Sequence, residues 1–118
     1  MEQSSAEAPV FSDNEAESRF EIRIGGELAG FASYHRRGSG LINLIHTEVV
    51  EKFQGTGVAG QLARYSLDKA RAENLAVLPS CAYIRGWIKR HPDYVDLVPE
   101  NRREDYSLDP ASLVPDEQ

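Results

Sequence analysis

The chain has 118 residues, enough for one domain, with 41% hydrophobic residues and a formal net charge of −6. The charge is uneven: residues 1–17 carry five acids and no Lys or Arg, residues 100–118 carry six acids and two arginines, and residues 18–99 are left at +3. A mildly basic core suits a polyanionic small ligand but excludes a nucleic-acid interface, which needs a clustered basic face.

Cys81 is the only cysteine, so no internal disulfide can form. Residues 1–17 lack the basic and apolar regions of a signal peptide. No apolar run approaches the roughly 20 residues that a membrane span needs. These features point to a protein of the reducing cytoplasm.

Residues 1–17, rich in Ser, Ala and Glu, hold too little apolar surface to offset ordering entropy, and we expect a disordered acidic tail. Arg19 to Ile24 alternates, with Phe20, Ile22 and Ile24 on one side, and reads as a half-buried strand. Gly25-Gly26 signals a hairpin, and Glu27 to Arg36 is the return strand, with Gly30 marking a bulge. After the Arg37–Gly40 turn, Leu41 to Val50 is the third and most apolar strand. From Gly57 to Asn74 the period becomes helical, with Val58, Ala59, Leu62, Ala63, Leu67 and Ala70 on one stripe. Leu75 to Tyr83 reads as a fourth strand, at an edge or splayed because Pro79 has no N–H to donate. Ile84 to Arg90 is a short helix. The domain should therefore span residues 18–98, followed by a loosely ordered acidic tail over 99–118. The fold class is α+β: an antiparallel meander, a glycine loop, a helix crossing over to a parallel strand, and a short C-terminal helix.

The loop between the third strand and the first helix draws the most attention. Gly55, Gly57 and Gly60 match the G-x-G-x-x-G dinucleotide fingerprint. However, no acid lies between Asn74 and Arg90 to hold a ribose, and too little chain follows for a wide parallel sheet. The nucleoside triphosphate loop fails as well, since Gln61 and Leu62 stand where Lys and Ser or Thr are required. What remains is a strand, a glycine turn and a helix N-terminus, which together bind anions.

Gln54-Gly55-Thr56-Gly57-Val58-Ala59 reads as Q-x-x-G-x-A, and it is flanked by His46-Thr47-Glu48-Val49 and by Pro79-Ser80-Cys81-Ala82-Tyr83. With these residues in this order, the span from Phe20 to Val98 resembles the small single-domain members of the GNAT superfamily of N-acetyltransferases. Val50 and Gln54 stand where many of those proteins have Pro and Arg. The resemblance implies a compact GNAT-like fold that binds acetyl-coenzyme A through Val49, Gln54, Gly55, Thr56, Gly57, Val58, Ala59 and Gly60. It implies transfer of an acetyl group to an amine. The alternative is a module that binds coenzyme A or a protein and performs no chemistry.

The resemblance also places Cys81 near the thioester end of the donor, where its thiolate would accept and pass on the acetyl group; direct transfer to the amine is the other route. In a regular strand Ile42, Leu44, His46 and Glu48 share one face. There His46 and Glu48 would serve an incoming ammonium as base, or else be ordinary sheet residues. Tyr83 would return a proton to the departing thiolate. The three histidines and one cysteine have no metal-ligand spacing. Expected partners are an amine on a small molecule or peptide and, because little chain is left to build an acceptor pocket, a second copy or a partner protein. Neither nucleic acid nor membrane is expected.

Overall fold

The computed structural model describes residues 8–112. Its elements run β1 (Val10–Asn14), β2 (Arg19–Ile24), β3 (Glu27–Arg37), β4 (Leu41–Val49), α1 (Val58–Ala72), β5 (Ala76–Pro79) and α2 (Ala82–Arg90). The sheet order is β1-β2-β3-β4-β5. The first four strands are an antiparallel meander, and α1 crosses over so that β5 pairs parallel with β4. The α+β architecture is the one expected.

Local sequence explains most of these elements. Gly25 and Gly26 both have positive φ, as a two-residue hairpin turn between twisted strands demands. One face of α1 buries Val58, Leu62, Ala63, Leu67 and Ala70 in a core shared with Phe20, Ile22, Ile42 and Leu44. Just past the Glu73 cap of the helix, Asn74 has a φ of 59°. The Leu75 amide donates to Ala70 and the Asn74 amide to Arg71, so the last carbonyls of the helix are satisfied in a Schellman motif.

Three boundaries differ from the sequence reading. Val10–Asn14 is a fifth strand within the tail expected to be disordered. It has little aliphatic surface and is held by contacts with residues far along the chain. Phe11 stacks on Tyr65 at 4.8 Å, Tyr34 donates to Asp13 at 2.6 Å, and Asn14 donates to Glu21 at 2.8 Å. The segment after Pro99 is likewise anchored, by the fully buried Leu108 and by Arg103 donating to the Val98 carbonyl. The remainder of both tails, residues 1–7 and 113–118, lies outside the described residues. Finally, the fourth strand expected over Leu75 to Tyr83 stops at Pro79, and Ala82 and Tyr83 open α2.

Two bulges shape the sheet. The β2–β3 register passes from Ile22↔Gly30 to Arg23↔Leu28, which leaves Ala29 over beside Gly30. The β3–β4 register passes from Ser33↔His46 to Tyr34↔Leu44, which leaves Ile45 over. Because side chains alternate along a strand, one extra residue reverses the faces of everything beyond it. Ile42 and Leu44 point into the core, and beyond Ile45 it is Thr47 and Val49 that point inward. His46 and Glu48 turn to the opposite, exposed face.

At Gly30 a Cβ would lie 2.7 Å from the Glu48 carbonyl oxygen of β4. Gly30→Ala therefore forces two paired strands apart, and we expect a cost of about 2 kcal/mol, read as a lower thermal midpoint. An unchanged midpoint would refute the close approach.

A second test concerns the anchor of β1. Burial, and then the hydrogen bond to the Asp13 carboxylate, push the Tyr34 phenol up to about 12 from 10.0. The folded protein thus holds this proton more tightly than the unfolded chain. The resulting stability is complete below about pH 10 and is lost as pH rises toward about 12. Tyr34→Phe should cost about 1 kcal/mol near neutrality. It should also show a shallower alkaline loss than the parent in denaturant melts across that window; parallel losses would contradict the assignment.

Candidate functional site

The chain leaves β4 at Val49, makes a single 3-10 turn over Glu51–Phe53, and enters α1 at Val58. Gly55 and Gly57 have φ of 80° and 86°, a left-handed backbone that only glycine adopts without cost. Gly57 caps α1 with no side-chain hydrogen bond. Gln61 is the first residue whose amide returns into the helix, donating to the Gly57 carbonyl. Among the described residues, the amides of Gly55 to Gly60 donate to no backbone or side-chain acceptor. Six consecutive free N–H groups at the positive end of a helix form an anion cradle.

The side chains of this loop are occupied in shaping it. Thr56 donates its hydroxyl to the Phe53 carbonyl, and Gln54 donates to the Val49 carbonyl at 3.3 Å. Thr56 has no second proton to offer a ligand. Lys52 is paired with Glu27 at 3.0 Å.

Beside the loop the sheet is open. β5 ends at Pro79, opposite Leu44, so Ile45–Val49 of β4 have no strand on that edge. The last link between the two chains is the Cys81 amide, which donates to the Leu44 carbonyl at 2.8 Å. Cys81 caps α2 and is 7% exposed, with its Sγ 3.4 Å from Thr47 Oγ1. The gap thus runs from the amide cradle down to a thiol–hydroxyl pair. Thr47 was not singled out by sequence reasoning, because only the bulge at Ile45 turns it toward Cys81.

The other expected residues are distributed differently. Tyr83 stands two residues after Cys81 on a helix and so projects to the other side. Its hydroxyl lies 3.7 Å from where a Gly60 Cβ would be, against the first turn of α1. It stands at the Gly60 end of the anion cradle. His46 pairs with Glu48 at 3.1 Å, and both are more than half exposed. Phe31 meets the His46 ring edge-on at 6.5 Å, and Arg19 lies 4.3 Å over Phe31. The two candidate bases are therefore together, but on the face of β4 away from Thr47.

Sequence reading also missed an open cleft of about 540 Å³ along α1, lined by Phe11, Gly57, Gly60, Gln61, Arg64, Tyr65, Asp68 and Trp87. It shares Gly57 and Gly60 with the cradle and includes neither Cys81 nor His46. Trp87 and Tyr94 are both buried. The Tyr94 hydroxyl nevertheless donates to Asp68 at 2.8 Å and accepts from Arg64 at 3.1 Å. Burial, and then the Asp68 carboxylate, push the Tyr94 phenol up. Among the described residues, no group of three or more His, Cys, Asp or Glu is placed to hold a metal, and no helix is long and apolar enough to cross a membrane.

Known proteins bear on this geometry. The family model described as GCN5-related N-acetyl-transferase matches residues 19–97. Protein NATD1 of Mus musculus is 30% identical over 86 residues, covering 71% of this chain and 78% of the relative. The Homo sapiens protein of the same name is 32% identical over 75 residues, covering 63% of this chain and 66% of the relative. Among solved structures, Ard1 from Thermoplasma volcanium aligns with a TM-score of 0.46 and 24% identity over 52% of this chain and 43% of its own. N-acetylglutamate synthase from Neisseria gonorrhoeae, solved with coenzyme A and N-acetyl-glutamate, aligns with a TM-score of 0.46 and 20% identity over 78% of this chain and 23% of its own. The match over residues 19–97 takes in β2 to β4, the glycine loop, the crossover helix and Cys81, and on it the chain belongs to the GCN5-related N-acetyltransferase family.

Proposed function

We propose that this protein binds acetyl-coenzyme A and transfers its acetyl group to an amine. The observation that carries the reading is the run of six free amides from Gly55 to Gly60, opening onto the unpaired edge of β4 that ends at Cys81 and Thr47. A diphosphate fits the amides, because nothing lies within 4 Å of a Cβ position at Gly55 or Gly57. An extended amide-containing chain fits the edge, where β4 has no neighbour. Val49, Gln54 and Thr56 shape the loop; Val58 and Ala59 contribute amides and seat the helix; the Tyr83 hydroxyl is available to the phosphates from α2.

The bound donor supplies an activated thioester carbonyl. On one route the Cys81 sulfur attacks that carbon. The new S–C bond forms as the thioester bond breaks, and the thiol proton goes to the departing sulfur. The amine then attacks the acetylated Cys81; the amide forms, the Cys81 thiol is restored, and His46, steadied by Glu48, takes the ammonium proton. On the other route the amine attacks the thioester directly and Cys81 only packs beside it. One geometric fact favours the non-catalytic alternative, a coenzyme-binding module: His46 and Cys81 contact opposite faces of β4. The acceptor, an amine on a small molecule or a peptide, meets an open edge that a second copy or another protein would enclose. We assign the protein to the cytoplasm.

Calorimetry should give a micromolar-range affinity for acetyl-coenzyme A, roughly 8 kcal/mol. Gly57→Glu should abolish it in a protein that still unfolds cooperatively, with a midpoint lowered by the left-handed backbone that Glu must adopt. Absence of heat at millimolar coenzyme would end the coenzyme reading. A turnover screen over amine and peptide acceptors then separates an enzyme from a binding module.

The route is decided by mass spectrometry. Through Cys81, incubation with the donor and no acceptor should add one acetyl group, and Cys81→Ser should prevent it. Full turnover by Cys81→Ala would establish direct transfer.

A further inference from the structure

Both helices pack on one face of the sheet: α1 and α2 bury their apolar residues in the same core as Phe20, Ile22 and Leu44. On the opposite face, strand pairing arranges side chains in two rows. Ser12, Glu21, Phe31 and Glu48 form one; Asn14, Arg19, Ser33 and His46 form the next. Each row crosses β1 to β4 and ends at the bare edge of β4. At the β2 end, Arg19 and Arg23 share the Glu21 carboxylate, donating at 2.8 and 3.1 Å, and Asn14 donates to it at 2.8 Å. Glu21 is buried, and the Asn14 hydrogen bond, joined against the cost of burial by the two arginines, holds its carboxyl below the usual carboxylate range. Two cations on one anion leave this end with a surplus positive charge. Arg19 gives only its Nε to Glu21; among the described residues its Nη1 and Nη2 meet no acceptor. At the β4 end stand the exposed His46 and Glu48. Phe31 lies between, with the Arg19 guanidinium 4.3 Å over its ring and His46 edge-on at 6.5 Å.

The inference rests on the acetyl-transfer reading above. An amine that attacks a carbonyl on the β4 edge sits beside His46 and Glu48, so the rest of the acceptor extends back across β3 toward β2. That path has a negative end, an apolar floor and a positive end in line. Strands lie about 4.8 Å apart, and Arg19 shortens the two-strand span by leaning over Phe31. A molecule with its amine and anion on one carbon is too short to touch both ends. A simple alkylamine covers Phe31 but leaves the free Arg19 donors to water. We propose that the outer face of β2 to β4 is the acceptor platform and selects an amine joined through a short apolar spacer to a carboxylate. Arg19 receives the carboxylate, and Phe31 supports the spacer.

The test uses the full chain with acetyl-coenzyme A and two acceptors of equal length, 5-aminopentanoate and pentylamine, which differ in the carboxylate. In the parent, kcat/KM should favour 5-aminopentanoate by about tenfold, the scale of one charge-assisted contact, with the difference carried by KM. Arg19→Gln should lower the preference to about twofold or less, and Arg19→Lys should keep part of it. Because Arg19 also holds Glu21, Ser33→Glu supplies an independent variant. It sets a negative charge between Arg19 and His46, leaves the partners of Glu21 in place, and should turn the preference toward pentylamine. Equal kcat/KM values in the parent, or a preference that survives both variants, would overturn the platform and leave acetyl transfer standing. If neither amine is turned over, titration of the coenzyme-loaded chain by NMR decides. Saturable, Arg19-dependent binding of 5-aminopentanoate would keep the platform and count against acetyl transfer; binding of neither amine would overturn the platform, whatever other amines are acetylated.

Discussion

The hydrogen bond from the Cys81 amide to the Leu44 carbonyl is the last link between β4 and the chain that runs beside it. Pro79 ends the ladder two residues earlier, because it has no proton to give the next rung. From that point the two chains part. β5 is followed by α2, while β4 continues for five more residues with one edge bare. The opening, the position of the thiol and the start of α2 are all consequences of where this ladder stops. A buried strand edge left unpaired is costly. The fold avoids that cost by keeping the bare segment at the surface, where Ile45, His46 and Glu48 are exposed.

The bulge at Ile45 sets the chemistry along that edge. Without it His46 and Glu48 would point into the core behind Leu44, where an unpaired carboxylate would be strongly disfavoured. With it, Thr47 turns in to meet Cys81, Val49 packs inward to seat the glycine loop, and the histidine–carboxylate pair faces solvent. The loop is in turn fixed from below. Val58 and Leu62 are buried at the start of α1, so hydrophobic packing, together with the hydrogen bonds of Thr56 and Gln54, holds the free amides in place.

Much of this was legible in the sequence, and what was not has definite causes. The alternation of Phe20, Ile22 and Ile24 gave β2, and the helical spacing from Val58 to Ala70 gave α1, because both elements bury a continuous apolar face. Gly55 and Gly57 were readable as cradle residues because a left-handed backbone leaves few alternatives to glycine. β1 was not readable, since besides its ladder with β2 it is held by a single aromatic ring and three polar side-chain contacts to residues in β2 and β3. The face of His46 was misjudged because a bulge inserts no residue type of its own; Ile45 is as strand-like as its neighbours. Tyr83 was placed on a strand because Pro79 was taken to splay the ladder rather than to end it. Arg64 carried no signal at all: on an amphipathic helix it is one of several solvated charges until Trp87, fixed by a different helix, comes to lie beside it.

Within the proposed function, β4 becomes a partition. Its inward face bears Thr47 against Cys81, its outward face bears His46 against Glu48, and its bare edge is where the two sides meet. A donor carbonyl lying along the edge is then reached by sulfur from one face and by an amine from the other. The separation of base and thiol argues against catalysis only if both must act on one atom from one side. In acyl transfer they need not: the nucleophile and the group that strips its proton both lie on the acceptor side, while the leaving sulfur departs on the donor side. A bulged strand at the margin of a sheet can hold those two sides apart with one backbone.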